Sequence, residues 1–433
     1  MRTLQPTPAR LLADADAILN HDLDDRFDRL RYWSPRSVTL ALLLMVHPTL
    51  RAGYQVTIDR MSEEYGTALG WSEDPNPSTL CRARAKLPED TLREIHARWL
   101  SSHGGKAAAQ RGLFRDFRIC ALDGMSAILP DTAELDESFG RVRTGKGDAR
   151  HPSALVVTLW DAGACMPLDW VVARGRSGER VAAMQFFDNL QEHDLLVGDR
   201  GFPSRRILFE LAARERHFLF RMVAGTRADW PEVAAFLASG KRQDEVIFIY
   251  KDPDAAEPLT ERFRLLRKQR GGRLTVLVTS VLDRKRLDWR DAIDAYAMRW
   301  CIETAFRTIK MRYELEDFHG QNSLFIRQEI AAVMIHLAME ACIEATATSE
   351  AGIPPQTDLP AKQRRLCNRR LLARRVETLL DIFSDMPKRR LLKRLRRGLE
   401  LCVKRRQRVR PGRSYDRVCK GQFGRWHMVK MAA

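Results

Sequence analysis

The chain contains 433 residues, enough for two or three domains or for one domain with insertions. Hydrophobic residues make up 45% of it, which excludes wholesale disorder, and the net charge of +17 favours a polyanionic partner. Residues 361–433 hold 24 Lys and Arg against 5 Asp and Glu, whereas the other 360 residues are nearly neutral. The charge pattern therefore predicts a basic appendage on a globular body.

The cysteines and the apolar segments indicate a cellular compartment. The eight cysteines are scattered without a C-x-x-C pair, which is typical of reduced thiols in a cytosolic protein and gives none of the common zinc-binding spacings. The longest apolar run, residues 38–46, is shorter than the roughly 20 residues that a membrane helix needs. We therefore expect a cytoplasmic protein without a membrane segment.

Residues 1–105 have the pattern of a helical domain. Ser34 and Pro35 supply a helix cap and a first-turn proline before residues 38–46. Further helices are expected up to Lys86 and over residues 89–100. A helical N-terminal domain of this kind either binds DNA ends or simply packs on the rest of the protein, and the pattern alone does not separate the two.

After residue 105 the sequence changes to short apolar segments of strand composition. The predicted order is β-β-β-α-β-α-β, which is typical of an α/β domain with a mixed sheet and helices on its faces. The predicted strands are 117–122, 153–159, 167–173, 194–198 and 217–222, and the predicted helices are 179–190 and 203–214.

The second half of the chain completes the domain organisation. Residues 224–290 contain three strand-like segments, two of them joined by a turn at Gly271 and Gly272, and are predicted to form a β-rich insertion. One long helix over 289–315 and an apolar helix over 328–345 follow. The predicted domains are therefore 1–105 (helical, N-terminal), 106–223 with 291–345 (catalytic), 224–290 (β-rich insertion) and 346–433 (basic helical C-terminal region).

Two aspartates follow predicted strands directly. Asp123 stands in Ala-Leu-Asp-Gly and Asp199 in Val-Gly-Asp-Arg-Gly-Phe. An acid at the end of an apolar run lies at the carboxyl edge of a sheet, where open α/β sheets bind their ligands. Asp-Gly is also common in ordinary turns, so either aspartate alone is equally consistent with a plain strand end.

A third carboxylate, Glu303, lies in a predicted helix with two cations and a tyrosine. Successive offsets of 100° place Tyr296, Arg299, Glu303 and Lys310 within about 60° of one another. Arg299 and Glu303 by themselves could form an ordinary surface pair, worth tenths of a kcal/mol. The neighbouring aromatic side chain of Trp300 argues against a simply solvated face.

The spacing Y-x2-R-x3-E-x6-K, downstream of the two aspartates, resembles the signature of DDE transposases of bacterial insertion sequences, specifically insertion-sequence family four. The sequences around Asp123 and Asp199 are also similar to the first two acidic motifs of that family. The resemblance covers roughly residues 115–345. Residues 410–417 resemble a basic element near the family's C-terminus, with Asp416 where the family is expected to have proline.

The resemblance implies an RNase H-like fold in which Asp123, Asp199 and Glu303 are the catalytic and metal-binding residues. They would hold two Mg²⁺ ions, for which Mn²⁺ can substitute, because hard cations prefer oxygen ligands. The implied partners are double-stranded DNA, as transposon ends and target, and a second copy of the chain in a synaptic complex. A hairpin-ended DNA intermediate and a bacterial, nucleoid-associated location are also implied.

Six further residues are expected to contact DNA. Arg299, Lys310 and Arg200 would neutralise backbone phosphates near the cut. Aromatic side chains could stack on an exposed or flipped base, and the candidates are Tyr296, Trp230 and Trp300.

Two other functions remain open from the sequence. The same carboxylates suit an RNase H-like nuclease that cuts without joining strands, and a DNA-binding relative that has lost activity would keep the basic region. The segment from Gly140 to Gly147 approaches a P-loop pattern, but Gly147 stands where Ser or Thr is required, which excludes nucleotide binding there.

Overall fold

A computed structural model describes residues 6–20, 32–49, 52–145, 147–223, 230–253, 257–270 and 272–408. The basic element at 410–417 and the rest of the C-terminus lie outside these residues, as do Lys146 and Gly271. Fifteen α-helices are present in the described part. They are α1 Pro8–Leu19, α2 Pro35–Met45, α3 Tyr54–Tyr65, α4 Pro77–Lys86, α5 Glu89–Ser101, α6 His103–Arg111, α7 Ala133–Phe139, α8 Glu179–Met184, α9 Arg205–Ala213, α10 Pro231–Ala238, α11 Trp289–Met298, α12 Trp300–Met311, α13 Ser323–Glu350, α14 Arg369–Leu380 and α15 Lys388–Lys404.

Thirteen strands accompany these helices in the same ranges, and several of them are only two residues long. They are β1 Leu113–Phe114, β2 Phe117–Ile128, β3 Arg143–Thr144, β4 Gly147–Asp148, β5 Ser153–Asp161, β6 Met166–Arg174, β7 Asp194–Gly198, β8 His217–Met222, β9 Gln243–Tyr250, β10 Leu259–Arg270, β11 Arg273–Thr279, β12 Arg365–Leu366 and β13 Gln407–Arg408.

Local sequence signals set several helix starts. The Ser34 hydroxyl accepts a hydrogen bond from the Ser37 amide, and Pro35 occupies the first turn of α2, as predicted. Asn322 caps α13 in the same way through the amide of Phe325. These caps satisfy amides that would otherwise lack a partner at the helix ends.

One large mixed sheet forms the centre of the protein, which confirms the predicted α/β class. Its strand order is β6-β5-β2-β7-β8-β11-β10-β9, with β1 paired to β2. Strands β2, β7 and β8 run parallel to one another, whereas β5 is antiparallel to β2 and to β6. The two parallel pairs bring the ends of β2 and β7 to the same region of the sheet.

The prediction that β2 ends at residue 122 was wrong. β2 continues to Ile128, because its antiparallel neighbour β5 pairs with it as far as Ser153. The parallel neighbour β7 stops earlier, at Gly198. Asp123 therefore lies within a strand, at the level where the adjacent strand ends.

The predicted insertion between residues 224 and 290 contributes three strands to the central sheet. β11 pairs with β8, with Val278 opposite Phe220, and β10 and β9 follow as an antiparallel extension. Phe248 and Phe263 from these strands are buried in the same apolar core as α9. In the described residues, the insertion is thus an extension of the sheet.

The N-terminal and C-terminal helices share one apolar core with one face of the sheet. The long helix α13 packs against α2, α5 and α6 from the N-terminal region and against α14 and α15 from the C-terminal region. α13 is long and apolar enough to cross a membrane, but its apolar window is 94% buried inside the protein. Burial in a protein core accounts for its composition.

Helix α15 confirms the amphipathic helix predicted from the leucine spacing. Leu391, Leu395 and Leu399 are buried, whereas the arginines and lysines between them are exposed. The first part of the basic appendage is therefore docked on the body of the protein through an apolar face.

Two buried acids hold α13 to its neighbours. Glu329 pairs with Arg84 of α4 at 3.1 Å, and both side chains are almost fully buried. Glu340 accepts hydrogen bonds from Arg312 at 2.7 Å and from the Tyr313 hydroxyl at 3.0 Å. Arg369 of α14 lies 3.4 Å from the other oxygen of Glu340. This second group joins the end of α12 to α13 and α14.

We predict that Glu340→Gln lowers the free energy of unfolding by about 3 to 5 kcal/mol, because it leaves buried arginines without their counter-charge. Urea unfolding followed by circular dichroism measures the loss. Glu350→Gln, at the exposed end of the same helix, is the control and should change stability by less than about 0.5 kcal/mol. Equal stability of the two variants would contradict the assigned role of Glu340.

Candidate active site

The parallel pairing of β2 and β7 places two aspartates side by side. Leu122 pairs with Gly198, so the next residue on each strand, Asp123 and Asp199, leaves the paired region at the same level. The Asp123 carboxylate accepts a hydrogen bond from the Gly124 amide at 2.9 Å. That of Asp199 accepts one from the Gly201 amide at 2.7 Å, which holds the loop after β7.

Glu303 reaches the same site through Arg299. One terminal nitrogen of the guanidinium lies 2.6 Å from the Glu303 carboxylate, and the other lies 3.3 Å from that of Asp123. The Arg299 side chain is only 10% exposed, and its Nε has no hydrogen-bond partner among the described residues. A buried cation thus bridges the first and third predicted carboxylates.

Arg299 also interrupts the helix that contains the signature. The expected single helix over 289–315 was wrong, because α11 ends at Met298 and α12 begins at Trp300. The Arg299 amide bonds to the Tyr296 carbonyl and its own carbonyl accepts from the Ile302 amide, both with the shorter three-residue spacing. This tighter turn coincides with the residue whose side chain reaches into the site.

Burial and neighbouring charge raise the pKa of Asp123. Removal of the carboxyl group from water is the largest cause, and the negative charges of Asp199 and Glu179 add to it. The Gly124 amide and Arg299 act in the opposite direction, and the pKa is about 6. The site therefore disfavours negative charge until a further cation enters it.

The aromatic side chains next to Arg299 differ in exposure. Tyr296 is half-buried and hydrogen-bonds Arg299, and burial raises the pKa of its hydroxyl. The Trp300 ring is 62% exposed, and its centroid is 5.8 Å from the Arg299 guanidinium carbon. Trp300 thus offers an open aromatic face at the edge of the carboxylate group.

Lys310 lies one side of the site, where it connects α12 to β2. Its ammonium group donates to the Ser126 carbonyl and pairs with Glu316 at 3.0 Å. Glu316 also accepts from the Ile128 amide. The lysine that was predicted to contact phosphate is therefore engaged within the protein, three residues along β2 from Asp123.

The two remaining predicted DNA contacts lie in different places. Arg200 is exposed directly after Asp199. Trp230 stands at the start of α10, half-buried, with its ring 5.9 Å from Phe248 and 4.8 Å from the guanidinium carbon of Arg205. In the described contacts, Trp230 packs within the sheet extension and touches none of the three carboxylates.

Sequence reasoning missed a fourth acid, Glu179, at the start of α8. A Cβ atom on Gly124 would lie only 2.7 Å from its Oε1 atom, so the carboxylate reaches the backbone beside Asp123. The only sequence signal was an acid in the first turn of a predicted helix, which is common for unrelated reasons. Its proximity to Asp123 depends on the pairing of distant segments.

The donor set suits a divalent cation by its chemistry. Carboxylate oxygens are the ligands that Mg²⁺ and Mn²⁺ prefer. Among the residues that the structure describes, however, no three His, Cys, Asp or Glu side chains are already arranged to hold a metal ion. Arg299 provides the positive charge between Asp123 and Glu303, and it would have to withdraw from at least one of them.

Comparison with known proteins assigns the family. The sequence family described as "Transposase DDE domain" matches residues 115–339, which is more than half of the chain. The chain therefore belongs to the DDE transposases.

A curated relative refines that assignment. The transposase InsG for insertion sequence element IS4, from Escherichia coli (strain K12), is 24% identical over 268 residues, which cover 60% of this chain and 59% of the relative. The predicted membership of insertion-sequence family four is thereby confirmed.

A solved structure of a piggyBac transposase synaptic complex with hairpin DNA covers 94% of the chain and 84% of its own. The identity is 10% and the TM-score is 0.46. At this level of similarity the two structures differ too much to transfer a fold or a residue role.

The pKa of Asp123 predicts a pH-dependent stability difference. Because the folded-state pKa lies above the model value of 3.8, stability falls as the pH rises from about 4 to 6, and the loss is complete above about 6. Asp123→Asn removes this titration. Its stability relative to the parent should therefore rise by roughly 2 to 3 kcal/mol between pH 4.5 and 7.5.

Urea unfolding at several pH values, in the presence of a chelator, measures this difference. Comparing the variant with its parent cancels other buried acids such as Asp161 and Asp381, whose pKa values are also raised. Asp294→Asn, on the exposed side of α11, serves as the control. A pH-independent difference for Asp123→Asn would contradict the raised pKa.

Proposed function

We propose that the chain is a DNA transposase that cuts and joins strands with Asp123, Asp199 and Glu303 as its catalytic carboxylates. The observation that carries the proposal is the parallel register of β2 and β7, which aligns the two aspartates, with Arg299 linking Glu303 to the first of them. The sheet order β6-β5-β2-β7-β8, with β5 antiparallel, supports an RNase H-like catalytic core.

The carboxylates would hold divalent cations near the DNA strand. Two bound Mg²⁺ or Mn²⁺ ions would activate a water or a DNA 3′-hydroxyl and stabilise the leaving oxygen in an in-line displacement. Asp199 is held by the Gly201 amide and Asp123 by the Gly124 amide, so their orientation needs no rearrangement of the loop. Glu303 would turn from Arg299 towards the same region.

The cationic and aromatic residues around the carboxylates suit DNA. Arg299, once released, is placed to pair with a backbone phosphate, and exposed Arg200 lies next to Asp199. Trp300 offers an open ring on which a displaced base can stack. Lys310 would first have to leave Glu316. Tyr296 would contact DNA beside Arg299, and Trp230 would do so from the sheet extension.

The wider roles follow from the family and the charge pattern. The proposed reaction is cut-and-paste transposition with a hairpin-ended intermediate, carried out by a homodimer that holds two transposon ends and the target. The N-terminal helices would help to bind the ends, and the exposed face of α15 would bind phosphates. The proposed location is the bacterial cytoplasm, in association with the nucleoid.

Strand cleavage and joining test the catalytic assignment. DNA that carries the ends flanking the gene is incubated with the protein and Mg²⁺, and denaturing gels resolve nicks, hairpins and joined strands. Glu303→Gln should reduce these products by at least about 10³-fold while DNA binding is retained, because the site loses a charged ligand. Asp294→Asn is the matched control and should behave like the parent.

Each pattern of products decides between the possible functions. Joined strands that disappear in Glu303→Gln establish transposition. Nicks without joined strands indicate a nuclease, and binding without cleavage in either Mg²⁺ or Mn²⁺ indicates an inactive DNA-binding relative. Cleavage that persists in Glu303→Gln removes that residue from the active site.

The exposed face of α15 gives a second prediction. Replacing Arg389, Arg390, Lys393, Arg396 and Arg397 with Gln leaves the buried leucines unchanged, so the helix should remain docked. Each lost phosphate contact should lower the slope of log affinity against log salt by about 0.9. Glu400→Gln on the same helix is the control, and its slope should equal that of the parent. An unchanged slope in the fivefold variant would exclude this face.

A further inference from the structure

Glu179 approaches the site from the face of the sheet opposite to α12. In β2, Ala121 and Met125 are buried against the helical layer that contains α12, whereas Cys120 and Leu122 are buried with α8 and α9 on the other side. Side chains alternate between the two faces of a strand. Asp123 therefore belongs to the α12 face, and the missing side chain of Gly124 would point to the α8 face.

The space left by Gly124 is filled by the Glu179 carboxylate. A Cβ on residue 124 would stand 2.7 Å from Oε1 and 3.0 Å from Cδ of Glu179, both closer than van der Waals contact permits. Only glycine allows this approach. The residue after Asp123 thus determines that an acid from α8 reaches the backbone at the site.

The next residue of α8 ties the helix to the loop that holds Asp199. The Arg180 guanidinium donates to the Gly201 carbonyl at 2.7 Å, and the Gly201 amide donates to the Asp199 carboxylate at 2.7 Å. The start of α8 and the Asp199 loop are therefore fixed to each other, with Glu179 between that loop and β2.

The charge on Glu179 is not compensated in the way that the charges on Asp123 and Glu303 are. Arg299 pairs with those two acids, whereas Glu179 makes no ion pair within the described part of the chain. Burial and the charge of Asp199 both raise the pKa of Glu179. Like charges held close together are unfavourable unless a cation joins them.

We propose that Glu179 is a fourth carboxylate of the cation site and binds the divalent ion together with Asp123 and Asp199, from the face opposite to Glu303. The inference rests on the proposed function, because that function makes Asp123 and Asp199 cation ligands. Glu179 supplies the hard oxygen that the α12 side of the sheet does not offer while Glu303 is paired with Arg299.

Binding of Mn²⁺ to the full chain without DNA tests the inference. Titration followed by electron paramagnetic resonance counts free and bound Mn²⁺ directly and needs no activity. Glu179→Gln and Gly124→Ala should each weaken Mn²⁺ binding on the order of 10- to 100-fold. Asp123→Asn should weaken it at least as strongly, and Glu192→Gln, an exposed acid beyond α8, should leave it unchanged.

Thermal unfolding separates a cation ligand from a merely structural helix residue. If Glu179 binds the ion, Glu179→Gln is at least as stable as the parent in a chelator and gains less stability from Mn²⁺. If the residue only stabilises the start of α8, Glu179→Gln loses the same stability with and without Mn²⁺ and keeps its Mn²⁺ affinity. That second result overturns the inference, and because Gln matches Glu in size, it does not depend on whether Gly124→Ala folds.

The same titration distinguishes failure of the inference from failure of the proposed function. If the parent binds Mn²⁺, Asp123→Asn does not, and Glu179→Gln binds like the parent, Glu179 is excluded and the proposed function stands. If the parent binds no Mn²⁺ at millimolar concentration, both are overturned.

Discussion

The parallel pairing between β2 and β7 is the constraint on which the site depends. Nothing local brings Asp123 and Asp199 together, since 76 residues separate them in the chain. The pairing of Leu122 with Gly198 does so, because both strands are buried and a shift of one residue would turn their apolar side chains to the wrong faces. The register that the core requires is therefore also the register that aligns the two acids.

The helical layer carries this order to the third acid and to the basic surface. Glu340 on α13 fixes the residues that follow α12, and the same acid meets Arg369 at the start of α14. The helix that contains Glu303 and the first helices of the basic region are thus held by one buried charge group. A DNA duplex bound to α15 would rest on elements that are directly connected to the catalytic helix.

The sequence predicted the order of strands and helices, the three acids and the amphipathic α15, because each has a local signal in composition or spacing. It placed the end of β2 wrongly, since strand length there is decided by β5, a neighbour 30 residues away. It also missed the turn at Arg299, whose side chain is drawn towards Asp123 by a contact between residues 176 positions apart. Glu179 was missed for the same reason, because its meaning depends on Gly124 across the sheet.

Arg299 explains how four acids can coexist before a cation binds. It neutralises Asp123 and Glu303 at distances of 3.3 and 2.6 Å, which leaves Asp199 and Glu179 as the remaining sources of repulsion. A cation that entered beside these two would compete with Arg299 for Asp123 and so loosen its hold on the site. The guanidinium, attached to the exposed ring of Trp300, would then be free to meet the phosphate of the incoming strand. Charge compensation within the protein and recognition of DNA would in this way use the same arginine in succession.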